Sequence, residues 1–140
     1  MAQDKLMSVE IVTPRKIIYS GKAVSVSVPG SKSPFQALSN HAAIMSSIDL
    51  GIVKIADDSN KTLLFATGTG FVEIINNKVS LLVETATEAS SIDMTQAEAD
   101  HDEAYKNFKA ADKVHAAELS KILAESDNML KAAKKFQTIS

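Results

Sequence analysis

Ser8-Val9-Glu10-Ile11-Val12-Thr13 alternates polar and apolar side chains with the two-residue period of a half-buried strand. Pro14 interrupts it, and Ile17-Ile18-Tyr19 resumes the pattern before Gly21, which predicts two short strands about a corner. Ala23 to Val28 sets valines against serines as far as Pro29-Gly30, so one face should meet a core and the other water. Ser31 to Pro34 reads as loop, and the short apolar pieces around Ser39-Asn40-His41, within Phe35 to Met45, predict edge strands or corners. Two hairpins follow. Gly51 to Ile55 and Thr62 to Ala66 flank a five-residue loop, Asp57 to Lys61, while Gly70 to Ile75 and Val79 to Val83 flank Asn76-Asn77-Lys78, where asparagine tolerates the left-handed backbone of a tight turn. Short strands with no helix-length segment between them predict an antiparallel sandwich or barrel.

After Glu88-Ala89-Ser90-Ser91 the period lengthens to that of a helix. Asp93 with Gln96 three positions on resembles a capping box, and Glu98, Asp100, Asp102 and Glu103 add negative charge toward that end of the helix. Met94, Ala97, His101, Ala104, Tyr105, Phe108 and Ala111 form one stripe; Leu119, Ile122, Leu123, Met129, Leu130, Ala133 and Phe136 form another. The polar break at Ala111-Asp112-Lys113 predicts two antiparallel helices rather than one long one. All five glycines and all three prolines lie at or before Gly70, which sharpens the boundary. The expected class is α+β, a β-sandwich over residues 1–88 followed by a helical hairpin over residues 89–140.

A chain without cysteine has neither disulfides nor thiolate metal sites. A net charge of −2 leaves no electrostatic footprint for nucleic acid or anionic lipid, so a protein partner is expected. Met1 to Lys5 lacks the pattern of an export signal, and no apolar run is long enough to span a membrane. His41, His101 and His115 are scattered without metal-ligand spacing, and Gly68-Thr69-Gly70 lacks the rest of a phosphate-binding loop; those glycines read as strand-end corners. No metal, cofactor or catalytic group is therefore expected. His41 is read as a structural or interface residue. Lys121, Lys131, Lys134 and Lys135 either bind an acidic partner segment or simply complement the end of a helix.

With that architecture in hand, Val12-Thr13-Pro14, Tyr19-Ser20-Gly21, Val26 and Val28 with Gly30, Asn40-His41-Ala42, Gly70-Phe71-Val72-Glu73, and Asn77 with Val79, Ser80 and Leu82 together resemble the epsilon subunits of bacterial F-type ATP synthases. The resemblance covers nearly the whole chain. It implies a non-catalytic rotor subunit, peripheral to the cytoplasmic face of the bacterial inner membrane, whose sandwich contacts the gamma subunit and the c ring. It also places His41 near that ring and implies a regulatory hairpin that reaches the catalytic alpha and beta subunits when extended, with the lysines as its contacts. Ser33-Pro34-Phe35-Gln36 departs from the family's glycine-acid-apolar-glycine loop, so contacts of that acid do not carry over. Ile92, Asp93 and Ala97 match part of an ATP-binding motif found in some members, but Gln96 replaces its arginine. A neutral amide lacks the charged fork that grips phosphate, so weak ATP binding or none is expected. Alanine in the first helix buries little surface, which implies a hairpin that opens easily. The competing readings are a free-standing adaptor or chaperone-like module and, less well supported, a small hydrolase using His41.

Overall fold

A computed structural model describes residues 6–139; Met1 to Lys5, on which the reading of no export signal rests, lies outside the described residues. The chain divides into two compact units, Met1–Glu88 and Ala89–Ser140.

Among the described residues the first unit holds nine strands: β1 (Met7–Val12), β2 (Ile17–Val28), β3 (Phe35–Leu38), β4 (Ile44–Ile48), β5 (Gly51–Asp57), β6 (Thr62–Thr67), β7 (Gly70–Ile75), β8 (Lys78–Val83) and β9 (Ala86–Glu88). They are bonded in the order β4-β7-β8-β1-β2-β5-β6-β9, with β3 also on β2. Inward residues from both arms of this path, among them Val9, Ile11, Val53, Ile55, Phe65, Val72 and Leu81, share one buried cluster, so the path folds into a sandwich. Each large side chain fully buried there contributes about 1.5–3 kcal/mol.

Three details depart from the sequence reading. Ile17 to Tyr19 and Ala23 to Val28 are not separate strands but one twelve-residue β2, whose first part pairs with β1 and whose second pairs with β3 and β5. The register against β5 slips between Ala23 and Ser25. This bulge turns Ala23 inward and leaves Val24 only half-buried, so the valine face begins at Val26. Finally, the sheet is not wholly antiparallel: β1 runs parallel to β8, Ser8 opposite Lys78 through Val12 opposite Leu82.

The two hairpins form where expected. Asn76 and Asn77 alone make the β7–β8 turn, with φ of 49° and 61°, and Lys78 already pairs with Ile75. Positive φ at both central residues marks the turn whose twist matches that of the strands. In the β5–β6 loop Asn60 takes the left-handed position, φ 63°, and Asp57 Oδ1 accepts from the amides of Ser59 and Lys61 at 2.8 Å. Gly70 is required by proximity: a Cβ there would strike Leu82 O and the Cα of Val83.

The second unit opens with a 3-10 turn at Ala89–Ser91, then α1 (Met94–Lys109) and α2 (Ala116–Ile139), which pack against each other. Asp93 is the N-cap of α1, its Oδ1 accepting from Gln96 N at 3.0 Å. The reciprocal half of a capping box is not made, because Gln96 Nε2 donates to Asp100 Oδ1 at 2.8 Å instead. The first turn of α1 carries no acid, since Glu98 and its acidic successors lie beyond it. Between the helices Asp112 Oδ1 accepts from His115 N and His115 Nδ1, each at 2.9 Å, and starts the second helical run. The apolar stripes are narrower than periodicity suggests: α1 buries only Ala97 and Ala104, while Tyr105, Phe108 and Ile122 stay exposed.

Candidate functional site

The outer face of the β4-β7-β8-β1-β2 arm is organised in cross-strand rows. Alternation along β7 sends Val72 and Ile74 inward, which leaves Phe71, Glu73 and Ile75 outside. Register then aligns Ser47, Phe71, Leu82, Val12 and Ile17 in one row, with Phe71, Leu82 and Ile17 more than half exposed. The next row, Met45, Glu73, Ser80, Glu10 and Ser20, adds acids and hydroxyls to the 69% exposed Met45. The third, Ile75, Lys78, Ser8 and Lys22, is basic, and Lys22 Nζ donates to Ser8 Oγ at 2.7 Å. A contiguous apolar row of this kind, unlike scattered exposed leucines, marks a contact surface.

His41 stands at the end of this arm where β7 turns into β8. His41 N donates to Leu38 O at 3.1 Å and His41 Nδ1 to Ala42 O at 2.7 Å, while the ring lies tilted 6.2 Å from that of Phe35. Its neighbour Asn40, φ 66°, donates its amide to Asn77 Oδ1 at 2.5 Å, and Asn77 Nδ2 donates back to Asn40 Oδ1 at 3.3 Å. Asn77 O in turn accepts from Ser8 N at 2.8 Å. Two asparagines in the left-handed region thus tie the β3–β4 loop to the β7–β8 turn and to the start of β1. His41 is thereby held beside exposed Leu38, Ile44 and Ile75. No group of histidines and acids with metal-binding geometry occurs among the described residues. With Nδ1 turned to a backbone carbonyl, His41 is built as a fixed loop residue, which suits an interface.

At the opposite end of the same strands, about 17 Å away at the usual rise per residue, an open groove of about 660 Å³ lies between Pro14, Ile48, Phe71, Leu82 and Val83. Asp49 and Glu84 stand at its rim, and Ser31 Oγ donates to Asp49 Oδ1 at 2.8 Å. Sequence reasoning passed over this groove. The signal was available in Phe71-Val72-Glu73-Ile74-Ile75, where apolar residues occupy both strand faces.

The four lysines lie in the helical unit and do not form one cluster. Lys131 Nζ pairs with Asp127 Oδ2 at 3.1 Å, and Asp127 Oδ1 lies 3.5 Å from His101 Nε2 on α1. Lys131 therefore belongs to a contact that joins the two helices. Lys134 and Lys135 are exposed toward the end of α2, and Lys121 stands about 20 Å back along the helix. Of the partial nucleotide motif, Ile92 is half-buried, Ala97 is buried, and Asp93 and Gln96 are engaged in capping and in the Asp100 contact.

Residues 6–89 match the family model described as ATP synthase, Delta/Epsilon chain, beta-sandwich domain. An ATP synthase epsilon chain of Salinibacter ruber is 36% identical over 111 residues, covering 74% of this chain and 74% of the relative. That of Pelotomaculum thermopropionicum is 35% identical over 96 residues, 69% of this chain and 71% of its own. In the cryo-EM structure of the Euglena gracilis mitochondrial ATP synthase, OSCP/F1/c-ring in rotational state 1, one chain is similar with a TM-score of 0.78 over 90% of this chain and 80% of that one. At 13% identity the likeness is one of fold.

Proposed function

Because this chain belongs to the ATP synthase delta/epsilon chain family, we propose that it works as the epsilon-type subunit of an F-type ATP synthase central stalk. It is non-catalytic and joins the gamma shaft to the ring of c subunits. The observation that carries this reading is that the family match spans the β unit, whose outer face bears the continuous apolar row of Phe71, Leu82, Val12 and Ile17. That row suits the gamma subunit, and the Asn40–His41–Asn77 end, with Leu38, Ile44 and Ile75 around it, suits the c ring. The subunit would sit peripherally at the cytoplasmic face of the membrane; no described helix is long and apolar enough to cross one.

The helical unit serves as the regulatory element. Its helices meet largely through alanine, and the His101–Asp127–Lys131 contact is partly exposed, so separating them costs little. Once α2 extends, Lys134 and Lys135, with Lys121 and Lys131, would face acidic segments of the alpha and beta subunits. ATP binding is expected to be weak or nil, since Gln96 supplies no positive charge and its side-chain amide donates to Asp100. No structural observation favours the free-standing adaptor or the hydrolase.

The test is reconstitution with the gamma subunit and c ring of the same organism, followed by titration of the full chain into a catalytic complex stripped of its own epsilon chain. Stoichiometric assembly supports the stalk role, and saturable inhibition of ATP hydrolysis supports the regulatory one. Failure to assemble would overturn the reading.

A further inference from the structure

The segment between α1 and α2, residues 110–115, contains neither glycine nor proline, and Ala110, Ala111 and Lys113 are strong helix formers. Its backbone never enters the left-handed region in which helices commonly stop, since positive φ occurs among the described residues only at Asn40, Asn60, Asn76 and Asn77. Ala110 closes α1 with φ −89° and ψ −1°, still right-handed, and its amide makes the helical bond to Lys106 O at 3.1 Å. Ala111 N then reaches Phe108 O at 3.1 Å, the tighter spacing of a last helical turn. None of the side chains from Ala110 to His115 is buried, so packing does not impose the break either. Asp112 does. In an uninterrupted helix His115 N would donate to Ala111 O; here it donates to Asp112 Oδ1 at 2.9 Å, and His115 Nδ1 meets the same oxygen at 2.9 Å.

We infer that Asp112 is the residue that keeps α1 and α2 apart: while its carboxylate holds the His115 amide the linker turns, and when that bond is given up residues 110–115 become helical and the two helices run together as one. The regulatory meaning of this change rests on the reading given above; its mechanism rests on the bonds of the linker itself. A helix from Met94 to Ile139 is about 70 Å long and sets His101 and Asp127 about 39 Å apart. The His101–Asp127 contact of the hairpin therefore cannot coexist with it, and the helical unit has two mutually exclusive arrangements. The joined helix uncovers Ala97, Ala104, Leu130 and Ala133, which the hairpin buries, so it is favoured only where another surface covers them. Within that balance Asp112 acts locally, because a capping oxygen biases the equilibrium toward the turn whatever lies against the helices.

The chain has no cysteine, so spin labels attached at Ala99→Cys and Ala124→Cys, both exposed positions, read the helix geometry of the full chain without competition. Joined helices separate these positions by about 38 Å, while an antiparallel pair holds them within about 20 Å. In the first arm trifluoroethanol, which favours helix over tertiary contact, releases the pair without any partner. The ratio of long to short separation should rise about fivefold in Asp112→Ala and stay near its unaltered value in Asp112→Asn, which keeps a capping oxygen. It should fall by more than about tenfold in Lys113→Pro, because proline opposes a continuous helix, whereas the Lys113 amide donates no hydrogen bond among the described residues and so the hairpin loses none. An unchanged ratio in Asp112→Ala, an equal rise in Asp112→Asn, an undiminished long separation in Lys113→Pro, or no long separation in any chain would overturn the inference. In the second arm the catalytic complex stripped of its own epsilon chain replaces the alcohol. A long separation that follows the same order of variants supports the inference in the assembly, and a different order would overturn it. Absence of the long separation there, with the first arm as expected, would overturn the regulatory reading while the first arm upholds the role of Asp112.

Discussion

The β unit and the helical unit bury different kinds of surface. Phe65, Met7, Ile11, Ile55 and Leu81 are all at or below 2% exposure in the sandwich, whereas α1 and α2 bury Ala97, Ala104, Ala132 and Ala133, with Leu130 as their one larger buried aliphatic among the described residues. Since hydrophobic stabilisation follows apolar area, at roughly 25 cal/mol per Å², the sandwich has far more to lose on opening than the helix pair. A unit that anchors must hold its shape. A unit that regulates needs two states within a few kcal/mol of each other, which alanine contacts and a half-exposed ion pair permit.

The contrast can be broken most forcefully at its cores. Phe65→Ala should destabilise the β unit by about 3–5 kcal/mol, read from the urea midpoint of strand amide signals. Leu130→Ala should cost about 2 kcal/mol, at the low end for such truncations because Leu130 is itself 9% exposed, and should lower helical protection while the strands keep theirs. A larger loss from Leu130→Ala than from Phe65→Ala would invert the comparison. Asn77→Ala comes next. It places a Cβ without a compensating amide at φ 61° and removes the partner of Asn40, so a loss of about 1–2 kcal/mol in the β unit is expected in the same urea assay.

Smaller effects should sort the units by interaction type. Asp127→Asn weakens contacts to His101 and Lys131 whose side chains are 27% to 68% exposed, so about 0.2–1 kcal/mol is expected, confined to the helices and reduced further by salt. The units should also differ in pH response. Burial, then the Asp57, Asp58 and Glu88 carboxylates, raises the Tyr19 pKa above its usual 10.0. Its contribution is therefore intact below pH 10.0 and lost as pH rises through the higher folded value. Ultraviolet titration should show one tyrosine with a delayed midpoint, absent in Tyr19→Phe. At Asp112 the His115 amide, then its ring, lowers the pKa from 3.8. Its contribution is complete above pH 3.8 and lost as pH falls through the lower folded value, so amides at the start of α2 should gain exchange there.

What was legible in the sequence was local. Asn76-Asn77 between two apolar runs specifies its turn through backbone conformation alone, and Asp93 announces the start of α1 by a bond to an amide three residues away. The β2 bulge was not legible, because Ala23 to Val28 alternates without a break in composition and the slip depends on pairing with β5. Nor was the parallel β1–β8 pair, which joins segments seventy residues apart. The same holds for function. His41 was found as a residue type, but the Asn40–Asn77 clasp that holds its loop arises from two distant turns meeting. The groove likewise gathers Pro14, Asp49, Phe71 and Glu84 from four places in the chain. The lysines were read by residue type as contacts for an acidic partner or as complements to a helix end, which could not reveal that Asp127 engages Lys131.

Hydrogen exchange followed residue by residue along the full chain tests the inequality of the two units most directly. Amides at Val9, Ile55, Val72 and Leu81 should exchange only through global opening of the sandwich, and those of α1 and α2 orders of magnitude faster through opening of the helix pair alone. Equal protection in strands and helices would contradict a firm anchor joined to a readily opened regulator.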